Sequence, residues 1–235
     1  MLLKSVLNDL INNELNNLSI GKPEWSTGNF SYQKLIQCIS LGFIELHKRF
    51  TLKKELVVLQ PVENENVYVL DIKHAVSNTT STETKYIIDT ASMPFSNSIA
   101  KIDEVYDHLN VPIEFNTTKF GDDIYALNYR TLVIKEPDPQ NPLTLVCRAV
   151  PGGITLANEG DLESYELDIP NTYLEALILY AAARASNNRG AENATNNEGA
   201  IFMARFEASC AQISNVGLDT KEISVNDKLS QRGFV

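Results

Sequence analysis

Three histidines have the widest chemical range of any side chains in this sequence, because an imidazole can bind a metal or move a proton near neutral pH. His47, His74 and His108 stand in ELHKRF, DIKHAV and YDHLN, each without a second histidine at ligand spacing. A zinc helix needs two imidazoles one turn apart, so each lone histidine reads as a surface or helix-end residue. Carboxylates gather at Asp122–Asp123 in FGDDIY and at Glu159, Asp161 and Glu163 in ANEGDLES. Such groups can surround a cation, yet they lack the alternating oxygen ligands and terminal glutamate of a calcium loop. They read as solvated loop charges. There is no GxxxxGK(S/T) loop to cradle phosphates, no GxGxxG turn, no GxSxG elbow and no HExxH helix. Cys38, Cys147 and Cys210 are odd in number and far apart, as buried thiols are, and form no CxxC pair. The expectation is no catalytic residue, no metal and no cofactor. Asn-x-Ser/Thr triplets at Asn17, Asn29, Asn78, Asn116 and Asn193 reflect a sequence rich in asparagine and threonine.

The 235 residues are 43% hydrophobic and 21% charged, which suits a globular chain able to bury a sizeable core. No run approaches the roughly 18 apolar residues of a membrane span, so no membrane partner is expected. Asn8, Asp9 and Glu14 interrupt the apolar start too early for a secretory leader. A net charge of -10 argues against general nucleic-acid binding, which needs Lys and Arg to displace phosphate counterions. Residues 56–166 hold 7 Lys/Arg against 17 Asp/Glu, whereas residues 1–55 hold 7 against 5 and residues 167–235 hold 6 against 8. The middle is chemically distinct.

Periodicity separates the same three regions. Leu3, Val6, Leu7, Leu10, Ile11, Leu15 and Leu18 keep helical spacing until Gly21 and Pro23. Ser31 is placed to cap a second helix carrying Leu35, Ile36, Ile39, Phe43, Leu46 and Phe50. From about residue 56, short β-branched runs (VVL, VYVLDIK, TKYIID, IAKIDEVYD, YRTLVIK, PLTLVCRAV) alternate with Asn, Asp, Pro and Gly punctuation, predicting an inserted antiparallel β domain. Helices return at LDIPNTYLEALILYAAARASNNRG, with Pro170 in the first turn and Asp168 or Asn171 as cap, and again at NEGAIFMARFEASCAQISNVG. The fold class is thus α+β: about four helices from residues 1–55 and 167–217, a β domain at 56–166, and an extended C-terminal tail at 218–235.

In the third helix, Leu174, Leu177, Ile178, Ala181 and Ala185 suit a core-facing side, while Tyr173, Leu179, Tyr180, Ala182 and Ala183 spread the apolar surface sideways. A helix apolar around most of its girth is deep in a core or covered by a neighbouring subunit. Four helices have difficulty enclosing one of their own number. The expectation is therefore a subunit interface through Tyr173, Leu177, Leu179, Tyr180, Phe202 and Phe206.

Two motifs and a terminus carry a family resemblance. Leu167, Ile169, Pro170, Tyr173, Ala176, Leu177, Tyr180 and Ala182 match an L-x-I/L-P-x-x-Y-x-x-A-L-x-x-Y-x-A helix. Ala204, Phe206, Glu207 and Cys210 match a second helix, and Arg232, Gly233 and Phe234 match a tail ending in Arg-Gly-aromatic. In these respects the chain resembles head-to-tail adaptor proteins of short-tailed bacteriophages. The resemblance implies a structural virion protein of the neck, assembled in the host cytoplasm, whose copies form a ring, of twelve subunits, between a portal protein and a tail or nozzle protein. DNA would pass through the lumen without specific binding; separately, the acidic insertion either lines that lumen and keeps DNA from sticking or forms an acidic exterior that aids solubility. The resemblance also implies that Leu218, Leu229, Arg232, Gly233, Phe234 and Val235 dock into the portal. The competing expectations are another phage neck or head-completion (stopper) protein, and a metal-dependent enzyme built on acidic residues such as Asp122.

Overall fold

Apolar spacing organises the chain into two separately packed units. The computed structural model describes residues 1–15, 32–91, 94–116, 123–156, 159–187 and 198–217. One unit is Met1–Leu52 with Gly153–Val235, and the other is Lys53–Gly152. The architecture is α+β, with two antiparallel sheets.

The first unit is built on α1 (Leu3–Asp9), α2 (Tyr32–Arg49), α3 (Leu174–Asn187) and α4 (Glu198–Val216). Its core contains Leu3, Val6 and Leu7 from α1, Leu10 just after it, Leu35, Ile36, Ile39, Phe43 and Leu46 from α2, and Phe50 just beyond α2. Full burial of each such side chain contributes about 1.5–3 kcal/mol before conformational entropy is counted. The helical pattern at the start does not continue as α-helix. Residues Leu10–Glu14 form a π-helical turn, closed by Leu15 N–H donating to Leu10 O at 3.0 Å. The i→i+5 bond lets Leu10 and Leu15 both enter the core. Ser31, Gly21 and Pro23 lie outside the described residues.

Residues 153–156 and 159–166, which the alternating pattern had attached to the insertion, belong to this helical unit. Ile154 N–H donates to the buried Ser40 Oγ at 2.8 Å, Leu3 N–H to Tyr165 O at 2.9 Å and Leu167 N–H to Met1 O at 2.7 Å. Ile154 and Leu162 supply the apolar part of the same attachment. Pro170 sits just outside the third helix rather than in its first turn, with ψ 146 and no side-chain cap. Its missing N–H therefore removes no helical bond. A 3-10 turn at Asn171–Tyr173 leads into α3.

The second unit has a five-stranded sheet in the order β3-β1-β8-β4-β5 and a three-stranded sheet in the order β2-β7-β6. The strands are β1 (Lys54–Leu59), β2 (Val67–Val69), β3 (Ile87–Ile88), β4 (Ile99–Tyr106), β5 (Pro112–Ile113), β6 (Ile124–Asn128), β7 (Thr131–Ile134) and β8 (Leu143–Ala149). Strict alternation along β8 buries Leu143, Leu145, Cys147 and Ala149 and turns Thr144, Val146 and Arg148 outward. Two buried tyrosines link the elements. Tyr68 Oη accepts from Val62 N–H at 3.0 Å and donates to Val62 O, while Tyr86 Oη accepts from Val69 N–H at 2.9 Å and donates to Val69 O. Each phenol thus satisfies a backbone donor and acceptor that burial would otherwise strand. Asn64 and Asn110 take left-handed φ of 65° and 60°, a conformation asparagine tolerates in turns.

α2 approaches α3 closely at Gly42. A Cβ there would lie 3.0 Å from Leu177 Cδ1 and 3.1 Å from Tyr180 Cδ1. Gly42→Val is expected to lower the unfolding free energy by about 2–3 kcal/mol through overpacking, read as a lower denaturant midpoint. An unchanged midpoint would show that α2 and α3 do not pack this closely.

Candidate functional site

The α3 side chains owe their positions to small residues around them. Gly42 lets α2 come in on Leu177 and Tyr180, and Ala176, Ala181, Ala182 and Ala185 keep the helix narrow enough for its neighbours to close on it. Phe50 meets Tyr173 edge-on at 5.0 Å, and Tyr180 meets Phe206 of α4 at 5.1 Å. As a result Tyr173, Leu177, Leu179, Tyr180 and Phe206 are all buried within the chain's own helical unit, at 0–6% exposure. This corrects the premise on which they were placed at a subunit contact. The apolar girth of α3 is filled by α2, α4 and the π-helical turn, so it is not left for a neighbour. Phe202 differs from the other five in being only half-buried. Leu218, Leu229, Arg232, Gly233, Phe234 and Val235 lie outside the described residues.

The open helical surface lies instead on α4. Its buried residues, Gly199, Phe206, Cys210 and Ile213, form one narrow stripe. The reverse side exposes Ala200, Ile201, Ala204, Ala208, Ala211 and Val216. The spacing of seven, four and three between the buried residues was a usable signal, since it leaves the alanine row on the far side of the helix.

Charged edges hold α4 against the rest of the unit. Arg49 donates to Glu207 through both terminal nitrogens, at 2.6 and 2.8 Å, and through Nε to Glu45 at 2.9 Å. Its guanidinium also lies 4.7 Å from the centre of the Phe206 ring. This two-pronged bond from Arg49 holds the Glu207 carboxyl below the usual carboxylate range, against a smaller opposing effect of burial. On the other flank, Arg205 donates to Glu14 at 2.9 Å, tying α4 to the π-helical turn.

The groups with chemical potential are spent on structure. The buried His47 donates from Nδ1 to Phe43 O at 2.9 Å, and His74 donates from Nδ1 to Thr84 O while stacking on Tyr86 at 4.4 Å. His108 is exposed in the turn between β4 and β5. Glu163 pairs with Lys4, while Asp123 is exposed and only its main-chain carbonyl is engaged, by Lys135 N–H. Asp122 lies outside the described residues. Among the described residues no group of three or more His, Cys, Asp or Glu could hold a metal ion. Burial pushes the Cys147 thiol up to about 12 and the Cys210 thiol up to about 11, and it also raises Cys38, so none of the three offers a ready thiolate. No described helix is long and apolar enough to cross a membrane.

The family model described as SU10 adaptor protein matches residues 2–225, taking in the helical unit and the β unit alike. The chain belongs to that family. It is a phage head-to-tail adaptor, a structural protein of the virion. No curated protein matches the chain.

In this adaptor the Arg49–Glu207 bond is a solvent-exposed part of the α4 attachment. Because the folded pKa of Glu207 is depressed, its stabilisation is full above the unfolded value near about 4.3 and is lost as pH falls below it. Arg49→Ala is expected to cost about 1 kcal/mol at pH 7, allowing for solvent screening of the pair and the lost ring contact. The deficit should shrink below about pH 4. A deficit independent of pH would assign the effect to packing alone.

Proposed function

We propose that the protein forms a closed ring, of twelve copies, that joins the portal to the tail or nozzle of the phage and lets DNA pass through its channel. The observation that carries this reading is the match to an adaptor family across nearly the whole chain. The charge supports it from another direction. With 20 Lys/Arg against 30 Asp/Glu, the chain has little capacity to hold phosphates by counterion release, as suits a conduit that must not retain DNA. The acidity is less concentrated than the sequence division suggested. Within Lys53–Gly152 there are 9 Lys/Arg and 14 Asp/Glu, because Glu159, Asp161, Glu163 and Glu166 belong to the helical unit.

A ring of identical copies requires a heterologous contact, in which one face of each subunit meets a different face of the next. With Tyr173, Leu177, Leu179, Tyr180 and Phe206 enclosed in the protomer, that contact falls to outward-facing surfaces. The tail carrying Leu218, Leu229, Arg232, Gly233, Phe234 and Val235 is the segment we assign to the portal, since a polar stretch ending on Phe and Val can order upon a partner.

Mass measurement of the protein alone and mixed with its portal tests this reading. The portal complex is expected to contain a fixed integer number of adaptor copies equal to the ring order, and a complex holding a single copy would overturn it. Deleting residues 229–235 is expected to weaken portal binding at least tenfold while leaving the thermal transition unchanged. Undiminished binding would remove the tail from the docking contact.

A further inference from the structure

The helical unit carries two surfaces of opposite character on opposite sides of α3. One is an open groove of about 280 Å³ lined by Asp9, Asn13, Glu14, Leu174, Glu175 and Ile178. Leu174 and Ile178, one turn apart, form its apolar floor, and the carboxylates rim it. Glu14 is engaged by Arg205, whereas Asp9 and Glu175 have no ion-pair partner among the described residues. The volume is below the roughly 300–1,000 Å³ typical of small-molecule sites. It suits one inserted aliphatic side chain.

The second surface is the outer row of α2. Lys34, Gln37, Leu41, Ile44 and Lys48 fall on one side of that helix, opposite the buried stripe. Leu41 is 48% exposed at the middle of the row. Lys34 and Lys48 stand seven residues to either side of it, about 10 Å away along the helix. Glu45, at the margin of the row, is held by Arg49. The row is therefore an exposed leucine flanked by two lysines, and the groove is an apolar floor flanked by carboxylates.

The two surfaces lie on different faces of the helical unit. On α3, Leu177 and Tyr180 point to α2, at Gly42. Glu175 and Ile178 line the groove and lie about 100° to 160° around the helix axis from those two residues. We propose that the α2 row of one copy docks into the α1–α3 groove of the next, with Leu41 seated on Leu174 and Ile178, and Lys48 facing the Asp9 and Glu175 carboxylates. The occupant is a second copy of this chain, because the charge and shape that complement the groove are present on the chain's own opposite side. Two different faces on opposite sides produce a head-to-tail contact, which closes into a ring when the rotation per copy allows it. This inference rests on the ring reading above and specifies its contact.

A charge exchange tests it. Lys48→Glu and Glu175→Lys each place like charges across the contact, and each is expected to weaken association at least tenfold, read by sedimentation of the purified protein and by copy number on the portal. The double variant Lys48→Glu/Glu175→Lys restores an opposite-charge pair between positions 48 and 175, with Asp9 left as a like charge, and is expected to recover assembly relative to either single variant. Thermal transitions of all three variants verify that they fold. Single variants that assemble like the wild type, or a double variant that fails to recover, would overturn the contact while leaving the ring intact. A wild-type protein that never associates would overturn the ring reading itself, and single variants that lose portal binding but still self-associate would give the groove to another partner.

Discussion

The structure depends on how closely α2 is allowed to approach α3. At Gly42 there is no side chain between the helices, and Leu177 and Tyr180 occupy the space a Cβ would take. That approach, with the alanines along α3, turns a helix that is apolar on nearly every side into the centre of the unit. Close packing of this kind is unforgiving of added volume. Once α3 is central, Phe50 meets Tyr173 and Tyr180 meets Phe206 edge to face beside it, and α4 is left as an outer helix held by a narrow buried stripe and by two arginines.

This arrangement bears directly on how an adaptor can assemble. A protomer that seals its own largest apolar helix has a folded core before any neighbour arrives. In the proposed ring, contacts between copies would then resemble those between proteins that fold first and associate later, with apolar anchors set among charges. The Leu41 row and the Asp9–Glu175 groove have that composition, and so does the outward side of the β8 sheet. There Lys54 reaches Glu104 at 3.7 Å, over a surface that includes the exposed Leu56.

Much of the fold was legible because it follows from local spacing. The α2 stripe from Leu35 to Phe50 is buried as its periodicity required, and β8 alternates as its sequence does. The short strands β5 and β6 were missed, since Pro112–Ile113 and the partly polar Ile124–Asn128 carry too few alternations to stand out. The π-helical turn is invisible to a 3.6-residue pattern. Residues 153–156 and 159–166 looked like the end of the β region, but a few long-range contacts, Ile154 with Ser40 and Leu3 with Tyr165, attach them to the helical unit. The enclosure of α3 was misjudged for a related reason. Apolar girth shows that a helix is covered, whereas what covers it depends on how near the neighbours can come, and the informative residue was a glycine on a different helix.

Hydrogen exchange of the α3 amides tests that enclosure most directly. If α3 is sealed by its own chain, amides from Leu177 to Ala185 are expected to be strongly protected in dilute, unassembled protein, and their protection should not rise when copies associate. Rapid exchange in the dilute protein, with protection gained only on assembly, would mean that neighbouring subunits cover α3 and would contradict the structure's central feature.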